Sequence, residues 1–430
     1  MLLPPLEAFV PSDHRLRRLD RVLDLSFVHE AVRDRYCQDN GRPSIDPEVI
    51  IRLFLIQAID GITHVRELLR QVQVNLAYRW FIGYELDEEI PDHSTLSKAL
   101  DRFGDEIFNQ VFVRSIAQCQ QSGLIEGKVL HVDATTIRAD ISKDRVGKDD
   151  SSDPDARFGH FPGGKLEPGY KQQTVVDDRS QVIVGVEVLP ANESEGSHSL
   201  GVVDDAAERM QKYPEAVCAD GAYGDGATAA GCEARGIRLV SPPRSSKTHT
   251  GERYFSVEDF SYDEMADEFL CPAGERLRFI GPDSQRPDRR KYRARRSSCR
   301  GCRLKQQCTS SPQRQVKVGI HHAALRRLRA DSHTESFRAL YRRRAPVVEG
   351  VFAEAKQWHG LRRAWRRGRR KMLIQCLLVA SVLNFKRLMA ALLVIFDVPK
   401  GTIRLIWSSL KTIGRIRLFT RRIVTCAATH

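Results

Sequence analysis

Apolar residues recur at three- and four-residue spacing over residues 12–124, as at Val49, Ile50, Leu53, Phe54 and Ala58, and this period predicts several short helices. Start signals agree. Ser44 and Asp46 flank the start of one helix with Pro47 in its first turn, and Asp92 or Ser94 is placed to cap another. At Lys128 the pattern changes to β-branched and apolar runs. Val129, Leu130, His131 and Val132 lead into Asp133 as one strand that ends there, and residues 174–177 and 181–188 form a hairpin around Asp178, Arg179 and Ser180. Residues 215–220 and 236–240 read as short strands separated by a helix over 227–235, and helices return from Glu335 to about Leu393. The chain is therefore α/β, with helices first and then a mixed sheet covered by helices.

Three stretches fall outside these periods. Residues 142–169, rich in Asp, Ser, Gly and Pro, read as a mobile loop, and residues 251–312 carry many arginines and four clustered cysteines with little helical period. The segment 373–396 is the most apolar, but Asn384, Lys386 and Arg387 interrupt it where charge is costly in lipid. It reads as a buried helix or helix pair. Residues beyond Lys400 read as one or two basic amphipathic helices.

Composition narrows the class. At 430 residues and 41% hydrophobic, the chain can bury the cores of two or three domains. Lys and Arg outnumber Asp and Glu by 68 to 55, a net charge of +13 that points to a polyanionic partner such as nucleic acid. Ribosomal and membrane-surface proteins share that balance. The N-terminal residues lack an apolar core of signal-peptide length, so export is not expected and the cysteines should stay reduced. Cys271, Cys299, Cys302 and Cys308 have the spacing of a possible structural Zn²⁺ site, with ordinary reduced cysteines as the alternative. Cys37, Cys119, Cys218, Cys232, Cys376 and Cys426 are scattered and read as small core residues.

Transferring a DNA phosphodiester with two metal ions needs carboxylates brought from separate elements. Asp133 and Asp220 each follow an apolar strand that needs no acid in order to fold. Alone, either reads as a turn or capping residue. A third acid, Glu349, lies in a helix framed by basic residues, and Lys356, seven positions on, returns to within roughly 20° of the same face. Glu354 competes for that role, but it lies about 140° around the helix from Glu349, so both cannot face one site. Val348, Val351, Phe352 and Ala355 form an apolar stripe that Glu349 borders, while Glu354 reads as nearer the outward face. Basic runs at Arg326, Arg327 and Arg329, at 342–344 and at 362–371 are phosphate contacts or solvated faces. From the last run, Arg362, Arg363 and Trp365 are DNA-binding candidates, with Trp365 either stacking on a base or anchoring its helix. Tyr223 is a DNA contact or a packed turn tyrosine, and His131, on the face of Asp133, is a core histidine or a member of the site.

The segments HVDATTIRAD, VCADGAYGD and YRRRAPVVEGVFAEAKQWHGLRR, followed by RRGRRKMLIQCLLVASVLNFKRL, resemble the DDE transposases of bacterial insertion sequences. The resemblance is to the branch whose third acid lies in a Tyr-Arg-Glu-Lys helix. It implies an RNase H-like catalytic core that cleaves transposon ends and then transfers the strand into a target. Asp133, Asp220 and Glu349 would hold two Mg²⁺ ions, with Mn²⁺ able to substitute, and Tyr341, Arg344 and Lys356 would contact DNA. One departure is visible. Four residues separate Arg344 from Glu349 where the commonly quoted signature has three. Similar cysteines in related transposases favour zinc for the cluster of four.

The organisation implied is a helical DNA-binding or dimerisation domain over 1–125, with 92–103 a candidate recognition helix. The core is split into 126–250 and 316–396 by a Cys₄ insertion over 251–315, and 397–430 is a basic tail. Expected partners are double-stranded DNA, as terminal inverted repeats and target, and a second copy of the chain, because two ends must be held together. No membrane is expected, and the location expected is the cytoplasm of a bacterium, at the nucleoid. A silent end-binding descendant and a nuclease without joining activity are the competing readings.

Overall fold

The computed structural model describes residues 4–35, 45–148, 151–244 and 254–396. Ser44, Cys37, Cys426 and the expected tail lie outside these residues. Six helices precede the first strand among the described residues: α1 (Arg15–Val22), α2 (Val28–Val32), α3 (Pro47–Ile59), α4 (Val65–Val74), α5 (Leu76–Ile82) and α6 (His93–Gln121). Two caps follow from short polar side chains. Asp46 accepts from the Glu48 N–H at 2.7 Å ahead of Pro47, and Asp92 accepts from the Ser94 N–H at 2.8 Å, so Asp92 caps α6. Gly104 interrupts α6 with φ +67, a backbone that favours glycine, and an added Cβ would lie 2.6 Å from Arg370 Nη2. The candidate recognition segment therefore stands apart as the first part of α6, with Leu96, Ala99, Leu100 and Phe103 buried.

Next come β1 (Val129–Arg138), β2 (Arg157–Phe161), β3 (Lys165–Asp177), β4 (Ile183–Pro190), α7 (Ser199–Met210), β5 (Ala216–Ala219), α8 (Gly226–Ala234) and β6 (Arg238–Val240). β1 pairs antiparallel with β3 and parallel with β5, β4 is antiparallel to β3, and β6 is parallel to β5. The resulting order β4-β3-β1-β5-β6, with β2 also on β3, is the RNase H-like mixed sheet that the resemblance implies. Two expectations need correction. β1 does not end at Asp133, because β3 keeps pairing with it as far as Arg138; the pairing that stops after Val132 is the one with β5. Residues 142–169 are not all loop either, since β2 and the start of β3 form a hairpin there. α7 is an addition to the predicted elements: its N-cap, His198, makes no side-chain cap bond, so the usual start signal is missing.

A second, five-stranded antiparallel sheet follows, of order β11-β10-β9-β8-β7. It comprises β7 (Ser261–Asp263), β8 (Glu268–Leu270), β9 (Arg276–Pro282) and β10 (Arg289–Ala294), then the short helices α9 (Arg296–Arg300) and α10 (Lys305–Cys308), then β11 (Gln315–Gly319). It has its own small core around Phe260, Phe269, Leu277 and Tyr292.

The chain returns to the first sheet through α11 (His322–Ser332), α12 (Glu335–Trp358) and α13 (Arg369–Phe396). The arginines of α11 dock the second sheet. Arg326 donates to the carbonyls of Val257 and Phe260 at 3.0 and 2.8 Å, and Arg327 pairs with both Glu233 and Glu264 at 2.7 and 2.5 Å. This basic run is thus a fastening within the chain. α13 is long and apolar enough to cross a membrane, yet 78% of its apolar window is buried inside the protein. Asn384 explains the polar interruption. Its amide donates to the Ile183 carbonyl and accepts from the Ile183 N–H at 2.9 and 2.8 Å, and donates to Ser115 Oγ at 3.1 Å. One helix residue thereby ties β4 to α6. A single apolar core runs through α3, α6, α13 and the first sheet.

Candidate functional site

In the parallel pair β1–β5, Val132 stands opposite Ala219. Asp133 and Asp220, the next residues on each chain, therefore emerge as neighbours where the pairing stops, on strands about 4.8 Å apart. Asp133 accepts from the Ala134 N–H at 2.9 Å and pairs with Arg344 of α12 at 2.7 Å. Both partners of that ion pair are largely buried, at 13% and 15% exposed. Burial pushes the Asp133 carboxyl above its usual range, Arg344 pulls it back, and the nearby Asp220 charge pushes it up again. Asp220 accepts from the Ala222 N–H at 2.8 Å, and its carbonyl accepts from Ser241 Oγ at 2.5 Å. It caps the following turn and remains partly open to solvent.

α12 packs across the ends of both strands. Arg343, beside Arg344, pairs with Asp178, whose other oxygen meets His131 Nε2 at 2.8 Å. His131 is fully buried and its Nδ1 has no partner; burial holds its pKa down despite Asp178, and it sits as a core histidine. Sequence reading missed these two arginine clamps. Their partners stand 165 and 211 positions away, and no local signal links them.

Glu349 is exposed on α12. Glu354 is not outward, contrary to the sequence expectation. It turns toward α13, where it pairs with Lys386 and with Arg387 at 2.7 Å, beside His359. Burial alone would raise its pKa, but those three partners overrule it and hold the carboxyl well below the usual glutamate range. The reason is the partner: the cations that engage Glu354 lie on another helix, which the apolar stripe of α12 does not register. Among the described residues, no three His, Cys, Asp or Glu side chains are grouped so as to hold a metal ion. Asp133 and Asp220 are brought together, while Glu349 does not join them in a ready-made triad.

Tyr341 is half-buried, stacked on Phe337 at 6.3 Å, with the Arg344 guanidinium 5.9 Å from its ring. Lys356 is half-buried as well, and burial, aided by Arg362, lowers its pKa. Arg362 and Arg363 are exposed, and their backbone is tied to the end of β1: the Arg138 N–H donates to the Arg362 carbonyl at 3.2 Å, and Ala364 N–H to the Arg138 carbonyl at 2.8 Å. The Arg363 side chain pairs with Asp140 at 2.8 Å. Trp365 is anchored, its indole N–H donating to the Gly360 carbonyl at 3.2 Å and its backbone N–H to Gln375 at 2.8 Å. Beside it, burial pushes Arg366 down to about 10, and its Nη2 has no partner. Trp365, Arg366, Arg367 and Lys371 face Ser97 and Leu100 of α6 across a groove of about 300 Å³. Tyr223 is a packed turn tyrosine, buried and accepting from Gln173 at 3.0 Å. In the second sheet, Cys271, Cys299, Cys302 and Cys308 line one small cavity.

Residues 4–102 match the family model described as Transposase domain (DUF772), and residues 270–389 match that of a Transposase DDE domain. The chain belongs to the DDE transposases. The DDE-domain match spans β9, β10 and β11 of the second sheet, α9 to α12 and most of α13, including Glu349 and Lys356, and begins after Asp133 and Asp220. Among solved structures, this transposase is similar to the piggyBac transposase in a synaptic complex with hairpin DNA. The identity is 11% over 91% of this chain and 82% of that one, with a TM-score of 0.32. It is also similar to the Mos1 transposase in a paired-end complex with its left transposon end, at 12% identity over 82% of this chain and 91% of that one, with a TM-score of 0.19. No curated protein matches it.

Proposed function

We propose that this transposase binds the ends of its own element, cleaves them and transfers the strands into target DNA, using Asp133, Asp220 and Glu349 as its metal-binding acids. The observation that carries the reading is the register of β1 and β5, which sets two carboxylates side by side where a parallel pairing ends. Paired carboxylates of this kind fit divalent ions. Two Mg²⁺ ions, or Mn²⁺, would polarise the scissile phosphate and lower the pKa of an attacking water. Asp133 and Asp220 are held before any ion arrives, the first by its strand and Arg344, the second by its own turn. Glu349 brings the third carboxylate from the solvent face of α12, and Glu354 is excluded because its charge is consumed by α13.

Arg344 is engaged by Asp133, so its contact with DNA requires that pair to open. Lys356, Tyr341, Arg362, Arg363 and the anchored Trp365 form a basic border for phosphates along α12 and the segment that follows it. The active form is a homodimer on paired ends, working on double-stranded DNA in the bacterial cytoplasm at the nucleoid.

The test is Mg²⁺-dependent cleavage and joining of DNA that carries the element's ends, comparing wild type with Glu349→Gln and Glu354→Gln. Glu349→Gln should lose chemistry on the order of 10³-fold while still binding the ends. Glu354→Gln should cut at a rate near wild type once folded. Normal cutting by Glu349→Gln would remove it from the site, and binding without cutting by wild type would leave a DNA-binding protein only.

A further inference from the structure

We propose that Cys271, Cys299, Cys302 and Cys308 together bind one Zn²⁺ ion that closes the open end of the second sheet. The four thiols come from three elements: the turn after β8, the α9 segment with the turn that follows it, and the last residue of α10. They nevertheless line a single cavity of about 20 Å³, room for roughly one water-sized sphere. Among the described residues no three ligand side chains are grouped closely enough to hold an ion as they stand, so binding there requires the thiols to close in.

Three further features fit an ion there. The turn at Cys271 closes with the Gly274 N–H on the Cys271 carbonyl at 2.8 Å, Gly274 taking φ +84, and the Glu275 N–H then points at Cys271 Sγ from 3.3 Å. A backbone donor on sulfur favours the thiolate, the form that ligates a metal. Arg314 lines the same cavity, and its Nε is buried without a partner, a cost that a negatively charged tetrathiolate centre would relieve. The sheet's own apolar support is small, since eight buried residues among those described form its core. Cores of that size ordinarily need a metal or disulfides.

Four thiolates fill a tetrahedral shell and leave no open position, so the ion is structural, and its binding releases the thiol protons. The site stands on residues separate from the DNA-cutting acids, and its failure would leave their assignment intact.

The test is the zinc content of the full chain, purified under reducing conditions and read by mass spectrometry, with Co²⁺ exchanged in as a spectroscopic probe. One zinc per chain is expected, with the intense thiolate-to-Co²⁺ absorption of a four-sulfur site. Cys299→Ser and Cys308→Ser should each lower the bound metal at least tenfold, while Asp133→Asn and Cys232→Ser keep it in full. A folded, reduced wild-type chain that takes up no zinc, or a Co²⁺ spectrum without thiolate absorption, would overturn the proposal even if the serine variants fail to fold. So would a Cys299–Cys302 disulfide forming in place of a metal site, or zinc retained by both serine variants.

Discussion

The two sheets of this transposase solve the same problem with very different resources. The first lies inside a core shared with α3, α6 and α13, and it can afford polar groups: Asn384, Gln173, Asp177 and His131 are all buried within it, and the Asp133–Asp220 pair sits at its edge. The second has eight buried residues and relies on the arginines of α11 to fasten it to the rest. A large apolar core tolerates a charged site, whereas a small one needs staples.

The sharpest way to break this comparison is to damage one core and watch the other. Phe269→Ala, in the small core, should cost about 3–5 kcal/mol. The loss should be local: residues 254–319 become protease-sensitive while the main unfolding transition stays in place. A single transition shifted as a whole would show that the two cores are one. Asn384→Leu probes the opposite case. It removes the partners of Ile183 N–H and C=O and should cost about 3 kcal/mol, read as a lowered Tm of the whole first core by calorimetry.

Glu354→Gln should cost less, about 1–2 kcal/mol, because one hydrogen-bonding partner remains for Lys386 and Arg387. Its pH dependence has a definite sign. The folded carboxyl is held below its unfolded value, so its stabilisation is present above the usual glutamate range and is lost as pH falls through the folded value. The gap between wild type and variant should therefore close in acid, as measured by denaturant titrations. Arg344→Gln is read on the titration of Asp133 rather than on stability. Removing this cation takes away a force that lowers the Asp133 pKa, so NMR titration of that carboxyl should show an upward shift. A downward shift would mean that Arg344 is not its controlling partner.

Much of this architecture was legible in the chain. Alternating and helical periods marked α3, α6, β1, the β3–β4 hairpin and β5, because each buries a face and must keep its period to do so. The two aspartates could be proposed because each follows an apolar run that needs no acid in order to fold and a third acid lies in a helix framed by basic residues, although Asp220 also caps its own turn. Pairings between distant segments were not legible. That β1 runs on past Asp133 depends on β3, and that Glu354 faces inward depends on two cations in α13. Short strands such as β7 and β8, three residues each, are too brief to carry a period, so the second sheet was visible only as a gap rich in arginine and cysteine.

The central claim is that Asp133 and Asp220 form one metal-dependent cutting site. Its most direct test is strand cleavage and transfer on end-bearing DNA by Asp133→Asn and Asp220→Asn, with Mg²⁺ or Mn²⁺ supplied and DNA binding measured alongside. Each variant should bind the ends like wild type yet lose cleavage and joining together, on the order of 10³-fold or more. If either variant cuts and joins at the wild-type rate, the pair set side by side by β1 and β5 is not where this transposase does its chemistry.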